Sequence, residues 1–154
     1  MNQADEASIR SLYQALLHAW NTTDAGAFAV GFARNGRCIG FDGTEYVGPE
    51  DVEQQLHAIF KDHKVATYVA KVREITPVTT DVAVLRAIAG MLPPGGTKVM
   101  PERNAIQTLV AARAPDGWKI MLYQNTPAKY DGRPKQAQAM TEELQREAGF
   151  SEAR

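Results

Sequence analysis

The chain has 154 residues, 44% hydrophobic and 23% charged, with a formal net charge of −1. That length suits one domain burying roughly 70% of its unfolded surface, and the absence of a basic stripe argues against a nucleic-acid partner. No apolar run is long enough to cross a bilayer. MNQADEASIR lacks the basic-then-apolar order of a secretion signal, and the lone Cys38 rules out an internal disulfide, so the expectation is a cytoplasmic protein.

In chain order, the first element predicted is a helix over Ala4–Trp20, where Ile9, Leu12, Tyr13, Leu16 and Trp20 recur at helical spacing. Asn21, Thr22 and Thr23 break it. Asp24 then reads as the cap of a short second helix on which Phe28 and Phe32 share a face. Asn35-Gly36 reads as a turn. Arg37–Phe41 and Thr44–Val47 read as strands joined by a tight Asp42-Gly43 hairpin. Pro49 fits the first turn of a third helix, with Glu50 and Asp51 at its positive end. Val52, Leu56, Ile59, Phe60 and His63 continue one face of that helix.

Two longer strands follow near Ala66–Ile75 and Val82–Leu92, then a Pro93-Pro94-Gly95-Gly96 loop. The next stretch carries most information. ERNAIQTLVAAR is a long strand, Asp116-Gly117 a turn, and WKIMLYQNT the returning strand. Lys135 to about Ala148 has helical propensity with a thin apolar stripe of Met140, Leu144 and Ala148, which leaves docking and fraying both open. The order gives an α+β class: a cone-shaped, curved antiparallel sheet wrapped on three helices. Residues 1–126 form the single cone domain. Residues 127–154 form a C-terminal tail, helical and docked on the domain or on a partner.

Amides in apolar strands need partners or a ligand to supply them. Gln107 sits at mid-strand and either orients a ligand carbonyl or bonds a neighbouring side chain. Gln124, Asn125 and Thr126 end the last strand, where they either rim a cavity or reach solvent. Tyr13, Trp20, Phe32, Tyr68 and Tyr123 are candidate walls, with core packing as the alternative. Arg86 interrupts VAVLRAIAGML. It is either an anion clamp in the cavity or a structural partner of Glu74 on the preceding strand, or it lies on an outer face. His18, His57 and His63 have no ligand spacing, so no metal is expected. No glycine-rich phosphate loop is present, so no nucleotide cofactor is expected. The late strands carry no mid-strand Asp or Glu that could act as a general base.

With AWNTTDAGAF early and WKIMLYQNT late, this order resembles the nuclear-transport-factor-2-like superfamily over Ala4–Thr126. Within it, PERNAIQTLVAAR…DGWKIMLYQNTPAKYDGRP is similar to the SnoaL-like subfamily, which contains small proteins of enediyne and other polyketide pathways. The association domain of calcium/calmodulin-dependent kinase shares the superfamily fold. Its pocket arginine matches Arg86, while its second pocket arginine falls near Leu109 and is absent here.

The resemblance implies a pocket protein that binds or shapes a hydrophobic polyketide-type intermediate, with a cofactor-independent cyclase- or isomerase-like activity open. The alternative is a non-enzymatic binding or assembly domain. Polyketide synthase pathway proteins are then expected partners. A homodimer is expected through the uncovered sheet face, because Ile106 and Val110 point one way and Leu109 the other.

Overall fold

The structure, a computed structural model, describes residues 1–149. It opens with helix α1 (Gln3–Asn21), started by a capping box in which Asn2 and Asp5 bond each other's backbone N–H. Ile9, Tyr13, Leu16, Leu17 and Ala19 form its buried face. Helix α2 (Ala25–Ala29) begins at Asp24, whose side chain accepts from the Ala27 N–H at 3.0 Å.

Strand β1 runs Phe32–Ile39, so Phe32 opens a strand and does not sit on the second helix as the periodicity predicted. The 6.0 Å Phe28–Phe32 ring contact survives across the junction. The predicted Asn35-Gly36 turn is instead an irregularity inside β1, where its register against β6 slips between Phe32 and Arg37. Glycine is required there because a Cβ at Gly36 would collide with the Ile120 carbonyl. The Asp42-Gly43 hairpin leads to β2 (Glu45–Val47), with the Thr44 N–H donating to Asp42 Oδ1 at 2.9 Å. Helix α3 (Gly48–Asp62) has Pro49 in its first turn and buries Val52 and Leu56.

Strands β3 (Thr67–Pro77), β4 (Val82–Leu92), β5 (Ala105–Ala114) and β6 (Gly117–Pro127) make an antiparallel meander. A 3-10 turn at Pro101–Arg103 precedes β5. The six-stranded order is β2-β1-β6-β5-β4-β3. The predicted curved antiparallel sheet forms, with one parallel pairing in it where β1 joins β6.

Strand parity divides this sheet into two faces. The inner face carries Leu85, Ala87, Gln107, Leu109 and Tyr123, and packs with α1, α2 and α3 into one core. On the outer face lies helix α4 (Pro134–Glu147), where Met140 and Leu144 bury Ile88 and Val99. Gly90 leaves room for it, since a Cβ there would stand 3.0 Å from both Leu144 Cδ1 and Asn104 Oδ1. Glu143 ties α4 to β3 by ion pairs with Arg73 at 2.5 Å and Lys71 at 3.3 Å. Ile106 packs beside the α4 cluster. Val84 and Val110 are cross-strand partners and stay half-buried. Among the described residues, no helix is long and apolar enough to cross a membrane.

Candidate functional site

Between the sheet and the helices lies a cavity of about 330 Å³. Its walls are mostly aromatic and aliphatic. Trp20 is central: its ring lies 5.3 Å from Phe60 and 5.4 Å from Tyr68 by centroid, and 6.4 Å from Phe28. Local bonds set this wall. Trp20 Nε1 donates to the Ala66 carbonyl at 2.8 Å. Asn21 clamps the start of β3, accepting from the Tyr68 N–H at 2.7 Å and donating to its carbonyl at 3.1 Å. The end of α1 and the start of β3 are thereby locked together, which fixes the Tyr68 side chain in the cavity wall.

The polar groups form a directed chain. Tyr13 Oη donates to Gln107 Oε1 at 2.6 Å, Gln107 Nε2 to Asn125 Oδ1 at 3.2 Å, and Asn125 Nδ2 to Tyr68 Oη at 3.1 Å. The lengths agree with this direction: the first is an O–H···O distance, and the other two suit N–H···O. Tyr68 therefore accepts through its oxygen and keeps its proton for another partner. Accepting a bond also polarises that O–H into a better donor. The Tyr123 hydroxyl is buried without a hydrogen-bond partner. It stands beside the Tyr68 hydroxyl at longer range, where the hydroxyl–hydroxyl interaction raises Tyr123 and lowers Tyr68.

Burial sets the ionisation of these groups. It pushes the Tyr68 hydroxyl up to about 12, against a smaller downward pull from the Tyr123 hydroxyl, then from Arg103 and Asn125. Tyr13 and Tyr123 are raised further by the same desolvation. All three are neutral donors near pH 7. Cys38 lines the cavity with a thiol also pushed up to about 12 by burial, which makes it a poor nucleophile. The carboxylate on the cavity lining is Asp42, exposed at the mouth and lowered by the Thr44 backbone N–H. Such a group is a weak base. Among the described residues, no three His, Cys, Asp or Glu side chains cluster as a metal site.

The structure brings Trp20, Tyr68, Tyr123 and Asn125 together on the cavity. Tyr13 and Gln107 lie behind Asn125 as the buried part of the chain. Phe32 is core against Phe28. Gln124 points to the outer face, because it neighbours inward Tyr123 and Asn125 on one strand and pairs with Thr108. Arg86 is corrected in the same way. Gln107 pairs with Ala87, so the adjacent Arg86 projects outward, where it meets Glu74 at 2.7 Å with the two side chains 53% and 52% exposed. His57 is exposed on α3. Sequence reasoning missed Phe28, Cys38, Tyr46 and Arg103 on the lining. For Phe28 the signal was available in its helical spacing from Asp24.

A cone-like curved sheet wrapped on helices is the cystatin-like and nuclear-transport-factor-2-like fold. The SnoaL-like domain family matches residues 9–128, and the chain belongs to that family. Its structure is similar to a cystatin-like domain of unknown function from Nostoc punctiforme: TM-score 0.81, 23% identity, 97% of this chain and 94% of that one. It is also similar to a ketosteroid isomerase-like protein from Erwinia carotovora: TM-score 0.64, 17% identity, 84% and 99% coverage. A third similar structure is a dehydratase candidate of the NTF2-like family from Streptomyces avermitilis: TM-score 0.67, 18% identity, 82% and 99% coverage. No curated protein matches the chain significantly by sequence.

Proposed function

We propose that this SnoaL-like protein binds a hydrophobic, polyketide-type intermediate in the cone cavity and constrains its shape. The observation that carries the proposal is the directed Tyr13–Gln107–Asn125–Tyr68 chain, which ends in a neutral O–H on an aromatic-walled cavity. That donor suits a ligand carbonyl or enol oxygen. A buried acceptor matched to it is oriented, and holding a reactive chain in one conformation lowers the barrier to ring closure or isomerisation. The lining supplies no strong internal base, so the chemistry open to it is positioning with hydrogen-bond polarisation. The volume is at the small end of ligand pockets, roughly 300–1,000 Å³, which fits one or two fused rings. The family supports the polyketide class, and the dehydratase-like and isomerase-like fold neighbours support carbonyl chemistry.

Native mass spectrometry of the protein purified from its producer tests the ligand class. A retained polyketide-derived mass is expected, and a retained ligand of another class would sink the polyketide assignment. Tyr68→Phe removes the donor while keeping the ring. It should weaken an aromatic ketone by roughly 3- to 10-fold and leave the matching hydrocarbon unchanged. Equal loss for both would assign Tyr68 to packing alone.

The protein is also proposed to be a homodimer through the outer face beyond α4, supported by the half-buried Val84–Val110 pair there. Sedimentation at micromolar concentration should show a dimer, and a monomer alone would reject it.

A further inference from the structure

Arg103 is the feature of this cavity that the proposed function leaves unused. It ends the 3-10 turn before β5 and lies on the cavity lining beside Phe41 and Asp42 of the β1–β2 hairpin. Its guanidinium stands 4.7 Å from the centre of the Phe41 ring. Such a cation–π contact restrains a side chain that would otherwise sample many rotamers. Arg37, Arg73, Arg86 and Arg113 each meet a carboxylate at 2.5–3.0 Å. Arg103 has no ion pair of that kind among the described residues. Its nearby acid is Asp42, which feels its field but bonds the Thr44 N–H at 2.9 Å. A positioned, exposed cation with open donors therefore sits where a ligand enters.

We infer that Arg103 is the specificity-determining residue of the cavity and selects hydrophobic ligands that carry a carboxylate at the mouth end. The inference rests on the ligand-binding reading above and adds the charge of the ligand to it. A carboxylate accepts two parallel N–H bonds from a guanidinium, which fixes orientation as well as affinity. The apolar body then enters among Trp20, Phe28 and Tyr68, with its far oxygen toward the Tyr68 hydroxyl. Asp42 opposes the same carboxylate. It therefore biases the site against ligands whose charge is not met by Arg103.

The test compares two probes of one size, 2-naphthoate and neutral 2-naphthamide, by titration calorimetry on the full-length protein. Wild type should prefer 2-naphthoate, and the preference should shrink as salt rises. Arg103→Met keeps most of the apolar stem. It should weaken 2-naphthoate by about 3- to 10-fold, because the contact is exposed at the mouth, and change 2-naphthamide by less than about 2-fold. Arg103→Lys should recover only part of the loss, because a point charge lacks the fork. Asp42→Asn keeps the acceptor for Thr44 and should tighten 2-naphthoate.

If both probes bind equally to wild type, or Arg103→Met leaves the preference intact, the charge selection is wrong while the cavity remains a ligand site. If neither probe binds, the ligand-binding reading falls and this inference falls with it. Melting temperatures of the variants separate loss of binding from loss of fold.

Discussion

The two faces of the same sheet treat polar residues in opposite ways. On the inner face, Gln107 is fully buried, and its amide lies between Tyr13 and Asn125. On the outer face, one residue out of phase on the neighbouring strand, Arg86 meets Glu74 in water. The inner groups depend on one another because water cannot replace a lost partner. The outer pair is replaceable, since solvent screens it and competes for it. Residue type alone therefore says little about role in this fold. Phase along the strand decides it.

The largest effect expected from that contrast is at Leu109, which is completely buried on the inner face. Leu109→Ala should cost about 2–5 kcal/mol in urea unfolding. Val110→Ala, next along the strand and half-buried outside, should cost clearly less. Equal costs would mean that the outer face is as tightly packed as the inner.

Gln107→Met should come next. It leaves the Tyr13 hydroxyl and the Asn125 carbonyl without a partner, at about 1–3 kcal/mol for each group left buried. The companion double variant Tyr13→Phe/Gln107→Met removes one of those orphans and should recover part of the loss.

Much of the fold is legible in the sequence. Helical spacing in α1 and α3, the Asp42-Gly43 and Asp116-Gly117 turns, and the dense apolar strands are local signals, and each formed near its predicted place. The site was legible only in part. Gln107 and Asn125 stood out as amides in apolar strands. Gln124 could have been set aside by period-two alternation, because it cannot share a face with its neighbour Asn125. Arg86 required the β4–β5 register, and the long Pro93–Asn104 connection leaves that register unspecified from sequence. Arg103 required knowing that this connection folds back over the hairpin to reach Phe41.

A smaller, pH-dependent effect should appear where α4 meets the sheet. Ion pairing with Arg73, then Lys71, lowers the Glu143 carboxyl from its ordinary 4.5 to about 2. A carboxyl lowered on folding stabilises above its unfolded value and loses that contribution as pH falls through the folded one. Stability should thus decline between about pH 4.5 and 2. Asp5, lowered to about 2 by Arg113, titrates in the same window. Glu143→Gln should therefore flatten the slope only in part, read from urea midpoints across that range. An unchanged slope would show that the α4 latch is not held by charge.

The smallest effect expected is at Arg86. Arg86→Ala should change stability by about 0–1 kcal/mol and leave the affinity for 2-naphthoate unaltered. A large loss of affinity would return Arg86 to the binding site and undo the division between faces.

The one-way order of the Tyr13–Gln107–Asn125–Tyr68 chain makes the cavity floor a filter for hydrogen-bond polarity. A ketone presents lone pairs and meets a proton already aimed at it. An ammonium presents only protons, and an oxygen that already accepts from Asn125 offers it a single remaining lone pair beside that aimed proton. To free both lone pairs of that oxygen and turn its proton away from the ligand, both amides would have to turn over together, and Tyr13 would have to accept where it now donates. Two side chains packed in a core do not turn cheaply. A ketone and an ammonium of nearly the same shape would thus be told apart by the sense in which four side chains happen to point.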